Sequence, residues 1–214
     1  MATILRRWSY QYPWLYATIS QVAALGVGGE ARFHQLPLQG VKIAPTSQVL
    51  DLCCGGGQAT RFLVQRSHQV TGLDASSVSL QRARALVPQA TYVQGLAEEL
   101  PFEDHHFDVV HTSVALHEMT LPQLQQILRE IDRVLKPGGI FTLMDLHRPQ
   151  NGLFWPPLAL FCWLFETETA WQFLETDLAA LITSVGLQVN QVKFYAGGSL
   201  QVIQSQKPEQ KLSK

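Results

Sequence analysis

Residues 49–60 read Val49-Leu50-Asp51-Leu52-Cys53-Cys54-Gly55-Gly56-Gly57-Gln58-Ala59-Thr60. A short apolar run ends in an acid, passes through three glycines and opens into a helical pattern at Ala59–Arg66. A strand that stops at a glycine turn and restarts as a helix brings bare backbone N–H groups against a ligand, because no Cβ holds the ligand away. By itself such a turn suits several nucleotides. The segments around it narrow the choice.

From Val49 onward, strand and helix patterns alternate. Strands are predicted at Val49–Leu52, Gln69–Leu73, Thr91–Val93, Phe107–Thr112 and Ile140–Asp145. Helices are predicted at Ala59–Arg66, Ser76–Leu86 and Leu121–Leu135, the last with Leu124, Ile127, Leu128, Ile131 and Leu135 at helical spacing. Pro137-Gly138-Gly139 stops that helix and turns into the next strand. A helix over Leu174–Ser184 and two alternating strands, Leu187–Tyr195 and Leu200–Gln204, follow; Gly197-Gly198 joins the strands as a hairpin. Repeated strand–helix–strand units imply parallel pairing with right-handed crossovers. The expected fold is therefore α/β: a Rossmann-like, mostly parallel sheet with an antiparallel last strand and helices on both faces. Three parts are expected: an N-terminal helical arm over 1–40, a main domain over 41–206 carrying an apolar insert at 151–172, and a polar tail over 207–214.

With 214 residues, 46% hydrophobic and 15% charged, the chain can bury a sizeable core. The formal net charge of -1, without a run of Lys or Arg, argues against a broad nucleic-acid-binding face. Cys53, Cys54 and Cys162 form no CxxC pair and no cluster with histidine, so neither a disulfide framework nor a zinc site is expected. Reduced cysteines suit a cytoplasmic location. Arg6-Arg7 is followed by Trp8, Ser9, Tyr10 and Gln11, not by an apolar run, which argues against a signal peptide. The longest uncharged apolar stretch, Leu153–Phe165, is interrupted by Pro156-Pro157 and falls short of the roughly 20 residues that span a bilayer.

In an open parallel sheet, ligands sit beyond the carboxyl ends of the strands. Asp51, Asp74, the Gly95-Leu96-Ala97 turn and Ser113 fall at such ends. Asp74 follows the glycine turn by about 20 residues, the distance at which a second-strand acid reaches ribose hydroxyls. A nicotinamide dinucleotide would place its pyrophosphate beside the unpaired carboxylate of Asp51, at a heavy electrostatic cost. The turn also ends in Thr60 where that fingerprint has a small residue. S-adenosylmethionine has no phosphate, a cationic sulfonium and a free amino group. Acids beside the turn suit it.

The segments VLDLCCGGGQAT, TGLDAS, YVQGLAEELPFEDHHFDVV, HTSVALHEM and RVLKPGGIFTLMD occur in the order seen in class I S-adenosylmethionine-dependent methyltransferases, and the chain resembles that family over Val49 to Asp145. It looks most similar to the branch that includes the ubiquinone/menaquinone C-methyltransferases. The resemblance implies that Asp51 and the Cys53–Gly57 turn, including Gly55, line the methionine moiety. It implies that Asp74 accepts from the ribose, that Ala75 packs on the adenine, and that Leu96 and Ala97 meet its edge. His111 to Ser113 would pass beneath the sulfonium. Two departures stand out: Cys53 occupies the place of the family's first glycine, and Leu96 the place of an aspartate that often binds the adenine amino group.

Methyl transfer is an in-line displacement that needs alignment in a dry pocket, with a base only where the nucleophile must lose a proton. His117 and Glu118 after the fourth strand, and His147 after the fifth, are the candidate catalytic side chains; a surface histidine and a helix-start glutamate are the plain alternatives. Tyr10, Tyr12, Trp14 and Tyr16 would cap the site or pack as a docked arm. Leu153–Phe165, with Trp155, Phe161, Trp163 and Phe165, reads as a buried helix in an enlarged core, as an apolar lid, or as a face that touches a membrane to collect a lipid-like acceptor.

The acceptor expected is a small apolar or aromatic molecule such as a quinone or prenyl lipid. HTSVALHEM is not the Asn/Asp-Pro-Pro-aromatic segment of amino-methylating nucleic-acid enzymes. No Pro-Cys nucleophile marks a cytosine enzyme, and no acidic cluster in the sequence suggests a metal. A non-catalytic S-adenosylmethionine-binding sensor and an NAD-dependent oxidoreductase remain as alternatives at this point.

Overall fold

The computed structural model describes Ala24 and residues 26–209. Residues 1–23, with Tyr10, Tyr12, Trp14 and Tyr16, lie outside the described part, as do residues 210–214. Among the described residues there are seven strands: β1 (Gln48–Leu52), β2 (Gln69–Asp74), β3 (Thr91–Gln94), β4 (Phe107–Ser113), β5 (Leu135–Leu146), β6 (Gln188–Tyr195) and β7 (Leu200–Gln206). They form one sheet in the order β3-β2-β1-β4-β5-β7-β6. The pairs β1–β2, β1–β4, β2–β3 and β4–β5 are parallel, while β7 runs antiparallel to both β5 and β6. The expected fold class is the observed one.

The helices among the described residues are α1 (Glu30–Gln35), α2 (Thr60–Leu63), α3 (Ser77–Leu86), α4 (Leu121–Val134), α5 (Trp155–Phe165), α6 (Glu168–Leu174) and α7 (Leu178–Ser184). They cover the sheet from two sides because successive strand residues point to opposite faces. Val109 packs with Leu38, Val49, Phe62 and Leu63 on the α2 side. Its neighbour Val110 packs with Leu124, Ile127, Leu128 and Ile131 of α4 on the other. α4 starts with a capping box in which the Thr120 N–H donates to Gln123 Oε1 at 3.0 Å. Its stripe Leu124, Ile127, Leu128, Ile131 and Val134 is buried, each side chain contributing roughly 1.5–3 kcal/mol.

Three boundaries differ from expectation, each for a local reason. The helix after the glycine turn is regular only over Thr60–Leu63, its end tightening into turns that lead to β2. The helix expected at Leu174–Ser184 is two helices, α6 and α7. Asp177 breaks the run by accepting from the Ala180 N–H at 3.0 Å, which makes it the cap of α7. At the end of α4 the strand begins at once: Leu135 pairs with Phe107, Ile140 pairs with Val109, and Pro137-Gly138-Gly139 bulges between them. A Cβ on Gly139 would sit 2.8 Å from the Lys136 carbonyl oxygen, so the bulge requires glycine there. The expected polar tail begins tied down, since the Lys207 N–H donates to the Gly139 carbonyl at 2.9 Å.

The insert is helical. Pro156 and Pro157 lie in the first turn of α5, where a missing N–H costs nothing. Leu158 and Cys162, four residues apart, are buried against Met144, Leu146 and Ala24. Leu160 and Trp163 point outward. Among the described residues no helix is long and apolar enough to cross a membrane.

Candidate active site

The sheet order reverses between β1 and β4: from β1 the chain builds outward through β2 and β3, and then returns to start β4 on the other side. The crevice at the carboxyl ends of these two strands is where ligands bind in such sheets. Asp51, Cys53, Gly55 and Gly57 lie at the end of β1, and Ser113 at the end of β4. The structure therefore brings the predicted cofactor residues to one edge.

Asp51 is buried, and its Oδ2 accepts the Thr60 hydroxyl at 2.6 Å. Burial, set against the Thr60 hydrogen bond and reinforced by the Asp74 charge, raises the Asp51 carboxyl from its ordinary value of 3.8 to about 7. Thr60, which looked like a mismatch to a dinucleotide turn, is thus the side chain that holds the acid in place. Cys53 adopts φ 55, the left-handed region, where a residue with a Cβ costs roughly 1–2 kcal/mol more than glycine. Burial pushes its thiol up to about 12, helped by the charges of Asp74, Asp51, Glu98 and Glu118, so it stays protonated and is no nucleophile. The same four acids define an electronegative ring around the turn. A Cβ on Gly55 would meet none of the described residues within 4 Å. At Gly57 (φ 86) a Cβ would stand 3.3 Å from Ala83, so glycine lets the turn close on α3.

Asp74 ends β2 and bridges the edge. Its Oδ2 accepts the Gly55 N–H at 2.9 Å and its Oδ1 the Ser76 N–H at 2.8 Å. Ala75 is exposed beside it, and its carbonyl accepts from the Gln94 side chain at 3.0 Å. Val78 (56% exposed), in the first turn of α3, and Leu96 (57%), in the loop after β3, are uncovered, while Ala97 is buried. These apolar surfaces suit a flat base. Among the described residues the hydroxyl oxygen of Ser113, at the crevice itself, is a buried polar atom without a hydrogen-bond partner.

His117 follows β4 in a short 3-10 turn, Leu116–Glu118, and is buried. Its Nδ1 meets Asp145 Oδ1 at 2.6 Å, and its Nε2 stands 3.5 Å from Glu166 Oε2. Burial alone would lower the imidazole's pKa; the Asp145 charge and hydrogen bond, with Glu166, overcome that and raise it to about 10. Asp145 also takes the N–H groups of Ala115, Leu116 and His117 on Oδ2, at 3.2, 2.8 and 3.3 Å, and that of Leu146 on Oδ1 at 2.7 Å. One carboxylate at the end of β5 thereby shapes the loop that follows β4. Glu118 is exposed at the same edge. His147 is not gathered with this group. Its Nδ1 lies 2.9 Å from the Gly198 carbonyl oxygen and its ring 4.5 Å from that of Phe194. It lines a separate recess of about 430 Å³, with Leu174–Ala179, Val192 and Gln201. Sequence reading missed Thr60, Asp145 and Glu166.

Comparison with known proteins decides the family. Over 205 residues the chain is 65% identical to an uncharacterised methyltransferase of Synechocystis sp., covering 96% of this chain and 97% of that one. A methyltransferase domain model also matches residues 49–139. The chain belongs to the class I S-adenosylmethionine-dependent methyltransferases. A 2-phytyl-1,4-naphtoquinone methyltransferase of Synechococcus elongatus is 39% identical over 118 residues, spanning 51% of this chain and 50% of its own length. A solved S-adenosylmethionine-dependent methyltransferase of Methanosarcina mazei shares the fold, with TM-score 0.67 and 22% identity over 81% of this chain and 98% of that one.

The cofactor of this methyltransferase is S-adenosylmethionine, and the crevice fits it. Among the described residues Gly55 leaves open space and the Ser113 hydroxyl has no partner, and Asp74 would present a carboxylate to the ribose hydroxyls. The surrounding acids favour a sulfonium and an ammonium. Bound there, the cofactor would supply the methyl group, and the glycine turn, Asp74 and Ser113 would be the residues that hold it in line.

Asp51 gives the methyltransferase a pH signature. Between pH 3.8 and about 7 the unfolded chain has ionised this acid while the folded chain keeps its proton. The cofactor-free protein should therefore lose stability as pH rises through that window, by up to about 4 kcal/mol, and level off above it. Asp51→Asn should flatten the slope in urea melts taken from pH 4 to 8, while an unchanged slope would show that Asp51 is not its source.

Proposed function

We propose that this methyltransferase acts on a small apolar or aromatic acceptor of the quinone or prenyl-lipid kind, taken up through α5 at the periphery of a membrane. The observation that carries this is the helix itself. From Asn151 to Phe165 there is no charged residue, yet Leu153 is 80% exposed, Trp163 68% and Leu160 56%. Exposed apolar residues grouped on one short helix and the 3-10 turn that leads into it mark a surface that meets something apolar. On the helix's inner side Trp155 and Phe161 pack against the same buried cluster as Val114, the residue after β4, so what the outer face collects lies near the cofactor edge. His117, Glu118 and Glu166 form the polar corner of this side. The naphthoquinone relative supports the same acceptor class over the half of the chain that it matches.

The test is formation of S-adenosylhomocysteine when the enzyme and cofactor meet demethylated naphthoquinols or prenylated phenols, compared with water-soluble acceptors such as glycine or small amines. Turnover confined to the latter would contradict the acceptor class. The membrane part is tested by co-sedimentation with liposomes. Replacing both Leu153 and Trp163 by Asp should weaken association at least about tenfold, since each buried apolar side chain contributes roughly 1.5–3 kcal/mol. An unchanged bound fraction would remove α5 from the contact.

A further inference from the structure

The polar corner has the form of a cation site. Among the described residues, donor atoms of His117, Glu118 and Glu166 lie within 4.8 Å of one another. The imidazole is buried, and its Nδ1 is bound to Asp145 at 2.6 Å, which leaves Nε2 as the atom that faces Glu166. A metal-ligating histidine characteristically gives its second nitrogen to a carboxylate in this way, fixing the ring and raising its basicity. The Nε2 to Glu166 Oε2 separation of 3.5 Å is longer than an ordinary N–H···O bond. Around a tetrahedral ion bound at about 2.0 Å, adjacent ligand atoms stand about 3.3 Å apart. The spacing is thus near that of two ligands sharing one ion. Two of the ligands are neighbours in sequence and the third comes from the end of α5, which explains why no ligand pattern shows in the sequence.

We propose that His117, Glu118 and Glu166 bind one divalent transition-metal cation, of the zinc or manganese kind. Imidazole with two carboxylates selects first-row ions over magnesium and calcium, which prefer all-oxygen shells. Three protein ligands leave a coordination position open, as in catalytic metal sites. With α5 on one side and the cofactor edge on the other, that position suits an oxygen of the acceptor, a phenol or hydroxyquinone that a cation would hold as its anion. This use of the ion rests on the acceptor reading above; the binding of the ion does not.

The experiment is calorimetric titration of the full chain with Zn²⁺ and, separately, Mn²⁺, with metal content measured after gel filtration. One ion per chain is expected, with a Kd at or below about 10 µM. Glu166→Gln and the surface change Glu118→Gln should each weaken it at least about tenfold, while Cys53→Ser keeps it. Circular dichroism melts confirm that each variant is folded. Absence of binding of both ions at about 100 µM would overturn the proposal. So would binding that Cys53→Ser abolishes, or binding that both glutamine variants retain.

Discussion

Asp145→Ala is expected to lose about 3–5 kcal/mol of unfolding free energy in urea denaturation. The magnitude follows from what one side chain holds. Four backbone N–H groups, from Ala115, Leu116, His117 and Leu146, end on its two oxygens, together with the His117 ring. Its side chain is buried, so alanine would leave several donors without an acceptor where water does not reach. Each unsatisfied buried donor costs roughly 1–3 kcal/mol, and collapse of the loop recovers part of the total. Asp145→Asn keeps one acceptor oxygen and should lose less. The loop that Asp145 shapes carries His117 and Glu118, so the alanine variant should also lose methyl transfer under conditions where it is folded. A loss below about 1 kcal/mol would mean that the loop after β4 holds its form without the carboxylate.

Asp74→Ala should weaken cofactor binding by roughly 10- to 150-fold, the equivalent of one or two charge-assisted hydrogen bonds at about 1.5–3 kcal/mol. Two effects contribute. The carboxylate would be the acceptor for the ribose hydroxyls. It also ties the Gly55 N–H to the end of β2 at 2.9 Å, so its removal loosens the turn that faces the methionine part. Titration calorimetry with S-adenosylhomocysteine measures the change, and Asp74→Asn should fall between the alanine variant and the native protein. Affinity within about threefold of the native value would place the ribose elsewhere.

The parts of this site that could be read from sequence are those built from contiguous residues. The glycine turn and Asp74 are strand ends, and a strand end is a local pattern; once the strands alternate with helices, the switch point collects them. The strand and helix types were legible for the same reason. What could not be read depends on contacts between distant segments. Asp145 looks like any acid at a strand end until the loop after β4 folds onto it. Glu166 lies on an insert whose helix could have docked in several ways. Thr60 looked like a departure from a fingerprint, and only the hydrogen bond to Asp51 shows its purpose. Cys53 at φ 55 shows how a cysteine stands in for glycine: the backbone keeps the left-handed conformation and the side chain packs beside the core. The break between α6 and α7 turned on whether Asp177 would face solvent or cap a helix, which periodicity does not decide.

Hydrogen exchange with and without S-adenosylhomocysteine tests the placement of the site most directly, because it reports the backbone of both candidate regions in one experiment. The expected result is protection at residues 51–57, 74–76, 95–97 and 113–118, with no change at 188–195. Protection confined to the recess formed by His147, Leu178 and Phe194, with the glycine turn unaffected, would contradict it.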